Sequence, residues 1–470
     1  MKADPITKQG VWWLPNDPER EVHGVLEFDP ATGIRLGLMG SLEPGEGTWL
    51  RSERQVYPVV HGIVQSESVT LLECQCIGTG RSYPGSTTES YRATWAIFGH
   101  LPLSIESAGQ VSSISLEIGG LSDWASDIAG GKVQVTGRGR ERQYTYRYVQ
   151  PNPVRGVTHY GEVAIDAFAS LPLMAGREIT VSESVRMTVD RSARGPKSLE
   201  WWLSEVIAPM QDFISLAVDQ PCNVVECTAT FHGASITIGS GSEFELPFRV
   251  LSASRAGVSY VSPARSISPS SFLFSLADIV DRLGEVFDTW LQFAAQYRRV
   301  RGLYFGDQFR KLYVENRFLF MVQAAEALHQ SSPHYSNEVV PKAEWDVRRK
   351  SILKALGRED RDLVARNIAH ANEPSLRRRL CEMAEDFREV LFEVIGVSDD
   401  WAREVVKLRN DLTHPHKQKQ VDKNAELLHQ RLVVSLLLRA YFLRELGIPP
   451  DRVTKSDDFK SAIWLNDHSA

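Results

Sequence analysis

The sequence predicts a multidomain α+β protein: a β-rich, sandwich-like N-terminal region holding one helix, followed by an all-α helical bundle. Three observations predict it. At 470 residues the chain exceeds what one core ordinarily serves, because domains run to about 100 to 200 residues. The hydrophobic pattern changes its period along the chain, from about two to about 3.6 residues. Between the two patterns lies 252–271, SASRAGVSYVSPARSISPSS, rich in serine with two prolines and fitted by no long periodic element. The expected divisions are 1–255 for the β-rich region, 256–271 for a linker and 272–470 for the helical domain.

Within the first region, short β-branched or alternating runs recur between Gly, Pro, Asn and Asp: Val22 to Phe28, Val69 to Ile77, Tyr91 to Phe98, Lys132 to Thr136, Tyr144 to Tyr148, Glu178 to Thr188 and Asn223 to Phe231. Such spacing predicts one or two sandwiches. The single helix spans Lys197 to about Val218, where Trp201, Leu203, Val206, Ile207, Met210, Phe213 and Ile214 recur on one face. After the linker, helical periodicity covers Phe272 to Tyr297, Phe309 to His329, Val340 to Leu356, Leu376 to Ile395, Asp399 to Thr413 and Asn424 to Leu446. An up-and-down bundle packs such helices naturally.

Composition narrows the function classes. Hydrophobic residues at 43% and charged residues at 24% exclude a disordered or fibrous chain. No apolar run reaches the roughly 18 to 20 residues of a membrane span, and the start MKADPITKQGVWW lacks a secretory stretch, so no membrane partner and a cytoplasmic location are expected. The five cysteines, at 74, 76, 222, 227 and 381, are odd in number and lack C-x-x-C spacing, which favours reduced buried thiols over disulfides or zinc. Gly78-x-Gly80, Gly137-x-Gly139 and Gly239-x-Gly241 lack the third glycine of a dinucleotide site, and no phosphate-binding P-loop occurs.

A net charge of -6 opposes a protein that coats nucleic acid, so any such contact must be local. Two basic islands exist. Ala402 to Arg439 carries eight Lys or Arg against four acids, and Tyr297 to Lys311 carries five against Asp307 alone. A solvated helix face also explains either island by itself.

Inside the first island stands Arg409-Asn410-Asp411-Leu412-Thr413-His414, an R-N-x-x-x-H hexapeptide. Five residues apart on an undistorted helix, Arg409 and His414 would lie about 140° from each other. Proline at 415 disfavours the α conformation at His414, so the helix should end near Thr413 and free the histidine to swing out. A guanidinium can hold a phosphate, and an imidazole can move a proton near neutral pH. The electronegative helix end favours the protonated imidazole, which suits an acid more than a base. RNA scission through the 2′-hydroxyl needs both, so one histidine per chain requires a symmetric dimer that brings two to one phosphate. Asn410 can orient the imidazole or the phosphate. Asp411 reads as a partner for a nearby cation. Lys407, Lys417 and Lys419 flank the motif as candidate RNA contacts.

Other candidates are weaker. Arg366-Asn367-Ile368-Ala369-His370 is a near copy whose four-residue spacing would place Arg366 and His370 on one helical face, as an accessory RNA contact or a plain surface feature. Arg377, Arg378 and Arg379 either grip backbone phosphate or pair with Glu382 and Glu385. His414-Pro415-His416 with Asp411 lacks further ligands at metal spacing, so no metal and no cofactor are expected. Trp12-Trp13 and Trp201-Trp202 serve either a core or a binding surface. His23, His61 and His100 have no nucleophile partner in view.

With R-N-x-x-x-H ending a helix of a C-terminal all-α domain, the chain resembles the HEPN superfamily. Two further stretches, GVWWLPNDPEREVHGVLEFDP at Gly10 to Pro30 and ENRFLFMVQAAEALH at Glu315 to His329, resemble the ApeA type of anti-phage protein, in which a β-rich N-terminal domain precedes an ApeA-like HEPN domain. The resemblance covers nearly the whole chain. It implies abortive-infection defence: a metal-independent, dimeric endoribonuclease and toxin that cuts host RNA, with tRNA the implied class, after the N-terminal region senses a phage-derived trigger, a protein by implication. The family motif falls on Arg409, Asn410 and His414. Glu326 and His329 are candidate supporting residues, or members of a buried hydrogen bond. Two alternatives stand beside this reading: an inactive HEPN domain that binds RNA or nucleotide or only dimerises, with the β-rich part as recognition module, and a β-sandwich ligand-binding protein with a helical regulatory tail.

Overall fold

The computed structural model describes residues 5–29, 32–43, 55–82, 86–128, 130–169, 173–175, 178–180, 182–238, 242–252, 267–309, 312–413 and 424–468. Two units divide between Gln292 and Phe293.

Alternating burial builds the first unit. Strands β1 (Ile6–Leu14), β2 (Asp17–Asp29), β3 (Gly33–Leu38), β4 (Val56–Val64), β5 (Glu67–Ser82) and β6 (Ser86–Ala93) pair antiparallel in the order β4-β1-β2-β3-β6-β5, and β5 pairs back onto β4. The ring closes because β5 is 16 residues long: one stretch pairs with β4, and the continuation pairs with β6 from Gln75↔Arg92 to Thr79↔Glu89. The expected sandwich is thus realised as a closed barrel, which removes sheet edges. Its interior holds Leu26, Phe28, Ile34, Leu36, Leu71 and Tyr91 around a fully buried Trp12. That indole occupies space that a Cβ at Gly62 would overlap, and a Cβ at Gly24 would lie 3.0 Å from it.

From β5 the sheet continues through β7 (Trp95–Gly99) and, by neighbour, Ser242–Ser252, Val224–Ile238, Val111–Ile118, Glu183–Asp190, Glu162–Ala169 and Val154–Val157. Among the described residues it counts thirteen strands. The expected strand Tyr91 to Phe98 is two strands, because Thr94 breaks away to donate its N–H to Leu72 O at 3.0 Å. The stretch Glu178 to Thr188 is likewise divided, into Glu178–Thr180 and Glu183–Asp190.

The expected helix appears as Leu199–Trp202, a π turn Leu203–Ile207, and Ala208–Ala217. Its buried Phe213 meets the rings of Trp124, Phe274, Phe287 and Trp290 at centroid distances of 5.9, 5.4, 4.8 and 5.8 Å. Trp290 Nε1 also donates to Pro209 O at 2.7 Å. These contacts tie 272–292 to the first unit, and the second unit begins at Phe293, twenty-one residues after the expected start of the helical domain at 272. Of the expected linker 256–271, only 267–271 lie within the described residues.

Trp12 and Trp202 are core residues, while Trp13 meets His61 edge-on and Trp201 lies beneath the Arg191 guanidinium at 5.0 Å. Cys74, Cys76, Cys222 and Cys227 are buried free thiols, and burial pushes Cys222 and Cys227 up to about 12. Cys381 is exposed.

The second unit is helical. Helix Leu283–Gln296 crosses the division; it begins later than the expected Phe272, after short 3-10 turns. Arg298–Phe309, Val314–Ser331, Lys342–Ala355, Arg358–Asn367, Leu376–Glu385, Trp401–Thr413, Asn424–Glu445 and Asp457–His468 follow. Three of these, Arg298–Phe309, Arg358–Asn367 and Asp457–His468, are absent from the sequence reading. The expected Leu376 to Ile395 helix breaks after Glu385 and resumes through a π turn, Arg388–Phe392. Asn424–Glu445 is buried from Leu432 to Leu443 on every side, the signature of a central helix. Among the described residues, no helix is long and apolar enough to cross a membrane.

Charged groups are buried in this core. Asp307 Oδ1 receives Arg317 Nε at 2.8 Å, and its Oδ2 receives Arg431 Nη2 at 2.6 Å. Arg439 donates to Tyr304 Oη at 2.7 Å and to Asp458 Oδ2 at 2.5 Å.

Candidate functional site

The first five residues of the hexapeptide, Arg409 to Thr413, close the helix Trp401–Thr413. Trp401, Ala402, Val405 and Leu408 are buried at helical spacing, which fixes one face against the helices Val314–Ser331 and Leu376–Glu385. Trp401 meets Phe392 edge-on at 4.9 Å, and Gln430 Nε2 from the central helix donates to Glu404 Oε2 at 3.3 Å. Packing thus secures the start of the helix, and none of Arg409 to Thr413 is buried. Arg409 lies about 12 Å along the axis from Trp401, at 1.5 Å per residue.

Arg409 is half-buried and Asn410 exposed. Arg409 Nη1 donates to Asn410 Oδ1 at 3.1 Å, and Thr413 Oγ1 donates to Arg409 O at 2.9 Å. Among the described residues no carboxylate forms an ion pair with Arg409, so most of its five donors are unspent. Asn410, holding Arg409 through its oxygen, keeps its two amide hydrogens. The pair is therefore a fixed set of donors with no built-in anion. Lys407 is exposed on the same helix. His414, Lys417 and Lys419 lie outside the described residues, as does His416.

The supporting pair separates. His329 has no exposed surface: its Nε2 lies 2.8 Å from Glu382 Oε2, its Nδ1 3.0 Å from Arg379 Nη1, and its ring stacks on Tyr335 at 4.5 Å. Arginine can only donate, so Nδ1 accepts and Nε2–H donates to Glu382. Burial lowers the His329 pKa, consistent with that neutral tautomer. Glu326 is half-buried, and no hydrogen bond or ion pair joins it to this network or to any other described residue. Arg409 is not among His329's partners.

The near copy also comes apart. Arg358–Asn367 ends before His370, so Arg366 and His370 do not share a helical face. Arg366 Nε donates to Asp362 O at 3.2 Å, and exposed His370 Nδ1 contacts Glu373 Oε1 at 2.6 Å. The arginine triplet divides three ways: Arg377 faces Asp400 at 3.8 Å, Arg378 binds Glu382 at 2.8 Å, and Arg379 is buried. Glu385 pairs instead with Arg388. In the first unit His61 is buried with its Nε2 on Leu103 O at 2.8 Å, and burial lowers its pKa. Among the described residues, no group of three or more His, Cys, Asp or Glu is placed to hold a metal ion.

Sequence reasoning missed the Asp307 ion-pair centre and the buried position of Arg379. Asp307 is the lone acid of a basic island, a signal for the first; nothing local marks the second.

Comparison with known families fits these features. Residues 319–452 match the Apea-like HEPN model, so the helical unit carries a HEPN domain, a class whose active members are RNases. Residues 7–290 match ApeA N-terminal domain 1, which covers more than half of the chain, and the chain therefore belongs to the ApeA family. This pairing is that of an anti-phage defence protein with an RNase-type HEPN domain. Searches of the curated proteins and of the solved structures returned no match.

Proposed function

We propose that this protein is a metal-independent endoribonuclease that cuts host RNA, tRNA by class, when a phage-derived protein engages the N-terminal unit. The observation that carries the reading is the R-N-x-x-x-H sequence at the end of a packed helix, with Arg409 held by Asn410 and paired to no described carboxylate. Two protomers contribute one motif each. His414 of one removes the ribose 2′-hydroxyl proton, the 2′-oxygen bonds to phosphorus, and the P–O5′ bond breaks as the second His414 protonates the leaving oxygen. The two Arg409 guanidiniums and the Asn410 amides receive the charge that develops on the phosphate oxygens. Lys407, Lys417 and Lys419 hold flanking backbone phosphates. Arg366 and His370, outside the motif, act at most as an accessory RNA contact.

The test is cleavage of cellular RNA in infected and uninfected cells that express the wild type, Arg409→Ala or His414→Ala. Removing a general acid–base should lower cleavage by about 10²–10⁴-fold. Products should carry 2′,3′-cyclic phosphate and 5′-hydroxyl ends, and EDTA should leave cleavage unchanged. Undiminished cleavage by His414→Ala would overturn the chemistry, and equal wild-type cleavage without infection would remove the trigger.

A further inference from the structure

A cavity of about 630 Å³ opens in the helical unit, lined in part by Arg379, Arg349, Trp345, Lys342, Gln330 and Asp346. Its size is that of a small-ligand site. Two arginines there, one buried and one half-buried, keep donor atoms without a partner among the described residues. Arg379 is only 2% exposed, yet no carboxylate of the described residues reaches it. Its Nε is held by Pro374 O at 3.0 Å and its Nη1 by Asn337 Oδ1 at 2.9 Å and His329 Nδ1 at 3.0 Å, which leaves both Nη2 hydrogens without an acceptor among the described residues. Arg349 Nε is shielded from solvent and has no hydrogen-bond partner, and the side chain makes no ion pair with a described residue.

The acids on the wall make no ion pair with either arginine. Glu338 Oε2 is held by Lys342 N at 2.8 Å, and Glu373 by His370 at 2.6 Å. Asp346 remains, together with the Gln330 amide and a half-buried Trp345 that no other ring contacts among the described residues. The Nη2 hydrogens of Arg379 and the guanidinium of Arg349 suit a phosphate. The flat indole suits a base, since base–aromatic stacking is sequence-tolerant and strong. A free carboxylate next to it suits the amino or imino hydrogens on the edge of adenine or guanine, for which a phosphorylated phenol has no counterpart.

We propose that this cavity binds a purine nucleoside 5′-monophosphate group, as the free nucleotide or as the 5′-phosphorylated end of a nucleic acid strand. The site is separate from Arg409 and does not depend on it. Calorimetric titration of the full chain checks this with AMP, GMP, inorganic phosphate, and a deoxy-tetranucleotide with a 5′-purine, in 5′-phosphate and 5′-hydroxyl forms; lacking a 2′-hydroxyl, these strands resist the proposed cleavage. AMP or GMP should bind one per chain and at least about tenfold more tightly than phosphate. Arg349→Gln and Trp345→Ala should each weaken binding about tenfold or more, whereas Arg409→Ala should not. Tight binding of the 5′-phosphate strand identifies a strand end as the natural source; exclusion of the strand identifies the free nucleotide. No binding of either nucleotide, equal affinity for phosphate alone, or binding unchanged in both folded variants would overturn the proposal.

Discussion

The interiors of the two units are held by different means. In the barrel, the buried carboxylate Glu89 is satisfied by neutral donors: Ser41 Oγ at 2.6 Å, Tyr91 Oη at 2.7 Å and Leu42 N at 3.2 Å. Around it the core is apolar, with Trp12 resting on two glycines. In the helical unit, three arginines at 379, 431 and 439 are buried, and carboxylates, a tyrosine and a histidine meet them. The barrel should therefore respond to changes of volume, and the helical unit to changes of charge. Buried ion pairs also set helix register in the helical unit, because a slipped helix would strand a buried charge.

The largest expected effect tests this directly. Asp307→Ala removes the carboxylate that buried Arg431 and Arg317 share, and should destabilise the helical unit by about 3–5 kcal/mol. Urea unfolding of the full chain, followed by helical circular dichroism, measures it. A loss below about 1 kcal/mol would mean that the ion pairs only decorate an apolar core. The matching change in the barrel is Gly62→Ala, whose new methyl must displace the Trp12 indole. Overpacking of this kind costs about 1–3 kcal/mol and should be read as a shift in the sheet transition alone. A barrel that absorbs the methyl without loss would not be limited by volume.

The same contrast explains what the sequence made legible. Strands such as β2 and β5 were visible because one face is wet and the other dry, which writes period two into the residues. The closure of the ring was not, since it depends on the length of β5 and on pairing between residues far apart in sequence. The helix Trp401–Thr413 and the arginine and asparagine of its last turn were readable from spacing and from the proline at 415. The central helix was readable as a helix, but nothing in its own sequence says that Arg431 finds Asp307, a partner 124 residues away. Arg358–Asn367 escaped notice because no residue of it is buried, so it has no apolar stripe to detect. Arg379 reads locally as one of three equivalent arginines; only the fold buries it and leaves part of its guanidinium facing a cavity.

The smallest effect is a pH dependence, and it distinguishes the units by number. Burial lowers the pKa of His329 and His429 in the helical unit and of His61 in the first. Below about 6.5 the unfolded chain takes up protons on these residues while the folded chain resists them, so protonation favours unfolding. The stability they confer is therefore complete above 6.5 and declines as pH falls through that value toward the lowered folded pKa. Glu382, also held low, contributes in the same direction only below the ordinary carboxylate range, which leaves the window from about 6.5 to 5 to the histidines. Over that window the unfolding midpoint of the helical unit should fall more than that of the barrel. His329→Gln combined with His429→Gln should flatten the slope even though it lowers stability at pH 7.5, because the variant has no imidazole to charge. An unchanged slope in the double variant would assign the acid sensitivity to surface carboxylates and would leave the two interiors distinguished by their ion pairs alone.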